Sequence, residues 1–210
     1  MKAISVLILG ALGAMSVPAG ADILDIVAQH GTRLEASWND EVGDYTGDYN
    51  SGRANTFPIE HSSYYLTDAL IGFDLQPILA QVDSGETLSI NAISLTLTRE
   101  AGDSGSFNTL WIRAPLGVAA DNWSENIITY DDYYATNPYA STQSVGTTIT
   151  PDYSDYPSAM TINLTSLPST SAMDDGYLSL LVIAGNWTWT TPTYLYGMNS
   201  PYAPSITVDY

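Results

Sequence analysis

The sequence predicts an all-β protein folded as one antiparallel β-sandwich. Three observations lead there: apolar residues alternate with polar ones along several short runs, turn-forming clusters separate those runs, and helical periodicity is nearly missing. Ile71, Phe73 and Leu75 alternate with Gly72 and Asp74. Ile93, Leu95 and Leu97 do so with Ser94, Thr96 and Thr98, and Met160, Ile162 and Leu164 with Thr161, Asn163 and Thr165. The chain ends on Ile206, Val208 and Tyr210 against Thr207 and Asp209. A period of two places one set of side chains on one face of a strand, so each run has one buried face. Residues 178–184 are apolar on both parities apart from Ser179, which predicts a strand covered on both faces in the middle of a sheet.

Between the runs lie Asp83-Ser84-Gly85, Gly102-Asp103-Ser104-Gly105 and Asp174-Asp175-Gly176, residue types that bend the backbone cheaply. The helical candidates are brief: residues 76–82, with Pro77 in the first turn, and a turn at residues 164–167. Two long loops are expected, residues 39–56 and 130–144, both rich in Asp and Tyr. Long loops on a rigid sandwich are where binding usually sits.

The amino end reads as a secretory leader. Lys2 precedes an apolar run over residues 3–17, and Pro18-Ala19-Gly20-Ala21 supplies small residues at cleavage-site spacing. The expectation is a signal peptide over residues 1–21 and a single domain over 22–210, secreted, extracellular or held at the cell surface. No later run approaches the roughly 20 apolar residues of a spanning helix, so membrane insertion is not expected. The chain has no cysteine, which removes disulfides and a cysteine-linked lipid anchor, and a domain of this length can bury its core without staples.

The formal net charge is −18, and after the leader 23 acidic residues face only Arg33, Arg53, Arg99 and Arg113. Such a surface repels nucleic acid and anionic membranes. Solubility or a salty habitat explains it without any ligand; Ca2+ held by some of the carboxylates explains it functionally, since Ca2+ takes oxygen ligands. The densest run, from Asn39 to Asn50, offers Asp40, Glu41, Asp44 and Asp48 beside Gly43 and Gly47, without the EF-hand spacing. Asp131-Asp132 and Asp152 with Asp155 are thinner versions. A solvated acidic loop fits the same residues.

The order of motifs from residue 60 to 210 resembles the DNRLRE-type domains, which are grouped with the family 96 carbohydrate-binding modules. Ala69-Leu70-Ile71-Gly72-Phe73-Asp74-Leu75 is similar to that family's "LLRFDL" strand, with Gly72 where the arginine stands. Ala92-Ile93-Ser94-Leu95-Thr96-Leu97 follows, then Trp123-Ser124-Glu125-Asn126-Ile127-Ile128-Thr129-Tyr130, with the block's proline delayed to Pro138. Ile162-Asn163-Leu164-Thr165, the apolar run from Gly176 to Ile183, and the closing Ser200-Pro201-Tyr202-Ala203-Pro204-Ser205-Ile206-Thr207-Val208-Asp209-Tyr210 complete the order. The amino end differs, with an acidic segment from Glu35 to Arg53 in place of the family's opening strand and loop. The resemblance implies a jelly-roll-like sandwich that binds extracellular polysaccharide, alginate-like polymers being known ligands of the named modules.

No motif for catalysis stands out: His30 and His61 are isolated, and H-E-x-x-H, G-x-S-x-G and phosphate-cradling glycine loops are missing. The chain is therefore expected not to be an enzyme. Sugar binding needs flat aromatic faces flanked by polar groups. Trp187 and Trp189, two apart and so on one face of an extended strand, are candidates with Tyr194 and Tyr196 near them, and Tyr133, Tyr134 and Tyr139 cluster in the second loop. Core packing accounts for such aromatics equally well. Given the charge, a neutral glycan, or an anionic one bridged by Ca2+, suits better than a bare polyanion.

A different class of function is a structural subunit of a filament, sheath or surface layer, with other copies of the chain as partners. Residues 23–28, apolar and just behind the expected cleavage site, would serve as a donated strand or simply as the first strand of their own sheet. Asn122, Asn163 and Asn186 each begin an N-x-[ST] sequon, whose use depends on the host.

Overall fold

The alternating runs are strands, and their apolar parity faces inward. A computed structural model of the protein describes residues 7–8, 22–47, 52–80, 89–100, 109–115, 123–124, 127–136, 142–149, 157–165, 176–185 and 192–210. In chain order its elements are β1 (Leu7–Ile8), β2 (Ile23–Val27), β3 (His30–Asn39), β4 (Asp44–Thr46), β5 (Thr56–His61), β6 (Tyr65–Asp74), α1 (Gln76–Leu79), β7 (Ser89–Ile90) and β8 (Ala92–Arg99). Then follow β9 (Thr109–Pro115), α2 (Tyr130–Thr136), β10 (Thr142–Ile149), β11 (Ser158–Asn163), β12 (Tyr177–Ala184), β13 (Thr193–Tyr196) and β14 (Ser205–Asp209).

Eight of these strands form two antiparallel sheets. One runs β2-β14-β8-β11 and the other β6-β12-β9-β10. Counted along the chain from β2 to β14, these eight stand in the orders 1-8-3-6 and 2-7-4-5, the double Greek key of a jelly roll. The expected all-β sandwich is thus the observed fold.

The remaining strands extend this frame. β3 and β4 widen the second sheet beyond β6. β5 pairs with β6 at Glu60 and His61 but with β13 from Thr56 to Ile59, so it crosses from one sheet toward the other. Pro58 lies where β5 is laddered to β13 alone, so its missing N–H leaves no gap on a second partner. β1, in the segment read as a leader, forms a separate parallel pair with β7.

The main core fills the space between the sheets with Phe57, Phe73, Leu95, Ile112, Leu180 and Ile206 among its fully buried members. Each such side chain contributes roughly 1.5–3 kcal/mol by leaving water. β12 lies between β6 and β9, as its two-sided apolar pattern predicts. Leu180 and Val182 face the main core, while Leu181 and Ile183 join Leu34, Leu70 and Tyr133 in a second cluster on the outer face of the sheet. Trp123, Ile128, Tyr130 and Tyr134 pack over that cluster.

The structure corrects two loop expectations. Residues 130–144 are not one loop: they contain helix α2 and the start of β10, because Thr129 caps the helix as described below. Residues 39–56 contain β4, which returns along β3 through a turn whose Gly43 has φ 72°, a left-handed conformation that glycine adopts freely. The first predicted helix is present but shorter, as α1, with Pro77 in its first turn and Asp74 Oδ1 accepting from the Gln76 amide at 2.8 Å. No helix among the described residues is long and apolar enough to cross a membrane.

Candidate functional site

The second cluster does not seal the outer face completely. Where α2 stands beside β4 and the β5–β6 hairpin, a cavity of about 690 Å3 opens, lined by Asp44, Tyr45, Thr46, His61, Leu66, Asp68, Tyr130, Asp131, Tyr134 and Ala135. Its walls follow from strand parity. His61 is cross-strand from Leu66, and Leu34 from Asp68, so these side chains share the face that carries Leu70 and α2.

Helix α2 is set in place by local chemistry. The Thr129 Oγ1 accepts from the Asp132 amide at 3.1 Å while its hydroxyl donates to Asp132 Oδ2 at 2.8 Å, so the threonine caps the helix and Asp132 holds the cap in place. Asp131 and Asp132 occupy the first turn, where the helix dipole favours negative charge. Asp131 also brackets the end of β4: its Oδ1 accepts from the Gly47 amide at 2.9 Å, and its own amide donates to the Gly47 carbonyl at 3.0 Å.

The floor of the cavity is a buried carboxylate. Asp68 is 1% exposed. Its Oδ1 lies 2.8 Å from His61 Nε2, and its Oδ2 accepts from the Tyr134 hydroxyl at 2.7 Å. The three groups join β5, β6 and α2, so the network ties the helix to the sheet. Burial alone would lower the His61 pKa, but the hydrogen bond and charge of Asp68, with a smaller effect from Glu60, raise it above its ordinary value. Burial, then the charge of Asp68 and the hydrogen bond to it, push Tyr134 well up. Burial, then the charges of Asp68, Asp44 and Asp131, push Tyr130 far up, and burial raises Tyr45. These phenols stay protonated at any physiological pH.

Aromatic rings continue from the cavity to its rim. Tyr130 and Tyr134 have ring centroids 4.5 Å apart, and Tyr45 meets Trp38 edge-on at 5.3 Å. Tyr45 donates its hydroxyl to the Ser62 carbonyl at 2.6 Å, fixing β4 to the β5–β6 turn. Trp38, which Tyr45 meets, is 42% exposed.

Of the residues singled out from sequence, only some come together here. Tyr134 lines the cavity, and so does Asp44. Tyr133 is corrected: at 1% exposure it is part of the second core cluster and has no face to offer a ligand, because the helical turn directs it onto Leu34 and Leu181. Tyr194 is exposed but sits on β13 opposite Pro58, away from the cavity walls. Trp187, Trp189, Tyr139 and Asp48 lie outside the described residues.

The acidic turn spends its groups locally. Asp40 Oδ1 accepts from the Trp38 indole at 2.8 Å, Asp44 Oδ1 accepts from the Tyr45 amide at 2.7 Å, and among the described residues Glu41 contributes its amide, to Asn39 Oδ1. Among the described residues no three His, Cys, Asp or Glu side chains converge as a metal site would need.

Sequence reasoning missed Tyr45, His61, Asp68, Tyr130 and Asp131 as a group. Two signals were available: the T-x-x-D of Thr129 and Asp132, and the Ser-Ser-Tyr-Tyr turn that sets His61 and Asp68 on adjoining strands. No protein-family model matches the chain, and no curated protein is significantly similar to it in sequence.

Proposed function

We propose that the protein is a secreted, non-catalytic binding module for extracellular polysaccharide, and that the cavity beside α2 is its sugar site. What carries this reading is the pairing of tyrosine rings with carboxylates in one open, rigidly supported cavity. Rings supply faces for pyranose stacking, and carboxylates accept hydrogen bonds from sugar hydroxyls. The jelly-roll frame and the ordered motifs similar to the DNRLRE-type domains support the same assignment. Binding suits the site better than catalysis, because Asp68 spends both carboxylate oxygens on His61 Nε2 and the Tyr134 hydroxyl.

The test is a glycan array probed with the mature chain, with and without Ca2+, followed by calorimetry on any hit using Tyr130→Ala. A polysaccharide hit that this substitution weakens at least tenfold supports the site. A hit left unchanged by it, or no hit in either condition, overturns the assignment.

A second reading, a self-assembling surface subunit, draws on β2. It is paired to β14, and its outward residues Ile23 and Val27 are exposed. Light scattering on the mature chain separates the two, since polymers that vanish when residues 22–28 are deleted favour assembly.

A further inference from the structure

We infer that the preferred ligand of this cavity is an amine-bearing polysaccharide, one whose sugars carry protonated amino groups. The inference rests on the sugar-binding reading above and names the chemical class within it.

The inventory of donors and acceptors leads there. Three strong donors of the wall are spent inside the protein: the Tyr45 hydroxyl on the Ser62 carbonyl, the Tyr134 hydroxyl on Asp68, and His61 Nε2 against Asp68. Asp68 is consumed by the last two, but two further carboxylates keep an oxygen in hand. Asp44 and Asp131 each use Oδ1 on a backbone amide, and the second oxygen of each has no hydrogen-bond partner among the described residues. An ionised carboxylate only accepts, and an ammonium group only donates, so the surplus matches that ligand. The hydroxyl of Tyr130 can turn either way and serve ring hydroxyls.

Charge and ring chemistry agree. Neither arginine nor lysine lines the cavity; its one basic side chain, His61, is paired with Asp68. The chain as a whole carries −18, a field that draws cations in and turns polyanions away. Tyr45, Tyr130 and Tyr134 add negative ring faces, on which a cation is favoured. A lysine side chain would satisfy the carboxylates too. The open cavity and successive tyrosines favour a sugar, because pyranose rings are flat, bulky units and a lysine stem is not.

Calorimetry at low salt and mildly acidic pH compares short β-1,4-linked oligomers of glucosamine, N-acetylglucosamine and glucose with an oligolysine peptide. The glucosamine oligomer is expected to bind about tenfold or more tightly than either neutral oligomer, a preference that added salt reduces. The isosteric double variant Asp44→Asn/Asp131→Asn, checked for folding by circular dichroism, is expected to lose the preference. Neutral oligomers binding as tightly as the amine form would overturn this inference and leave the sugar site standing. Oligolysine binding as tightly as glucosamine would overturn the saccharide class, and binding of none of the four would overturn the site itself.

Discussion

The two faces of β12 divide the molecule into two kinds of construction. On the inner face Leu180 and Val182 join a core shared by both sheets, built almost wholly from apolar side chains at strand spacing. On the outer face Leu181 and Ile183 support a thinner layer, one helix deep, finished by polar contacts between Thr129 and Asp132, Asp131 and Gly47, and Asp68 with His61 and Tyr134. The inner layer needs only hydrophobic burial to form. The outer layer needs direction, because hydrogen bonds and paired charges decide where α2 stops and how far the cavity opens.

Adjacent leucines test this division most strongly. Leu180→Ala is expected to cost about 2–5 kcal/mol in urea unfolding and to weaken the whole domain together. Leu181→Ala is expected at the lower end, about 2 kcal/mol, with hydrogen exchange rising first in residues 127–136. Equal losses with no local rise would show that the two faces form one cooperative unit.

Removing the helix cap comes next in size. Thr129→Ala is expected to destabilise α2 by about 1 kcal/mol, seen as faster exchange of the Asp132 and Tyr133 amides, with the inner strands unaffected. A change spread evenly across the sheets would contradict a separable outer layer.

Smallest is the pH response. Because folding raises the His61 pKa from 6.5, the stabilisation from its pairing with Asp68 is fully present below that value and fades as pH rises through the folded one. Tyr134 continues to hold Asp68, so the loss is partial. Against the wild type, His61→Gln is expected to flatten this part of the stability–pH curve. An unchanged slope would mean that another group carries it.

The inner layer was legible in the sequence and the outer one only in fragments. Ile93, Leu95 and Leu97 announce β8 because period two is a local property of the chain. β3 escaped notice for an opposite reason: Thr32, Leu34 and Ala36 present a small, mixed row to the outer face that no hydrophobic pattern marks, although all three are buried. Tyr133 and Tyr134 stand side by side, yet one is core and the other lines the cavity, since α2 turns successive residues about a hundred degrees apart.

By itself the sequence determined the all-β class, the sandwich, the strand buried on both faces and the acidic surface, because each follows from composition or from spacing between near neighbours. Tertiary structure alone decided the site. Asp68 meets Tyr134 sixty-six residues on, and Gly47 meets Asp131 across eighty-four. Contacts over such separations arise only when β6, α2 and β4 are stacked by burial of the apolar residues beneath them, and that burial carries no mark of which polar groups it will bring together.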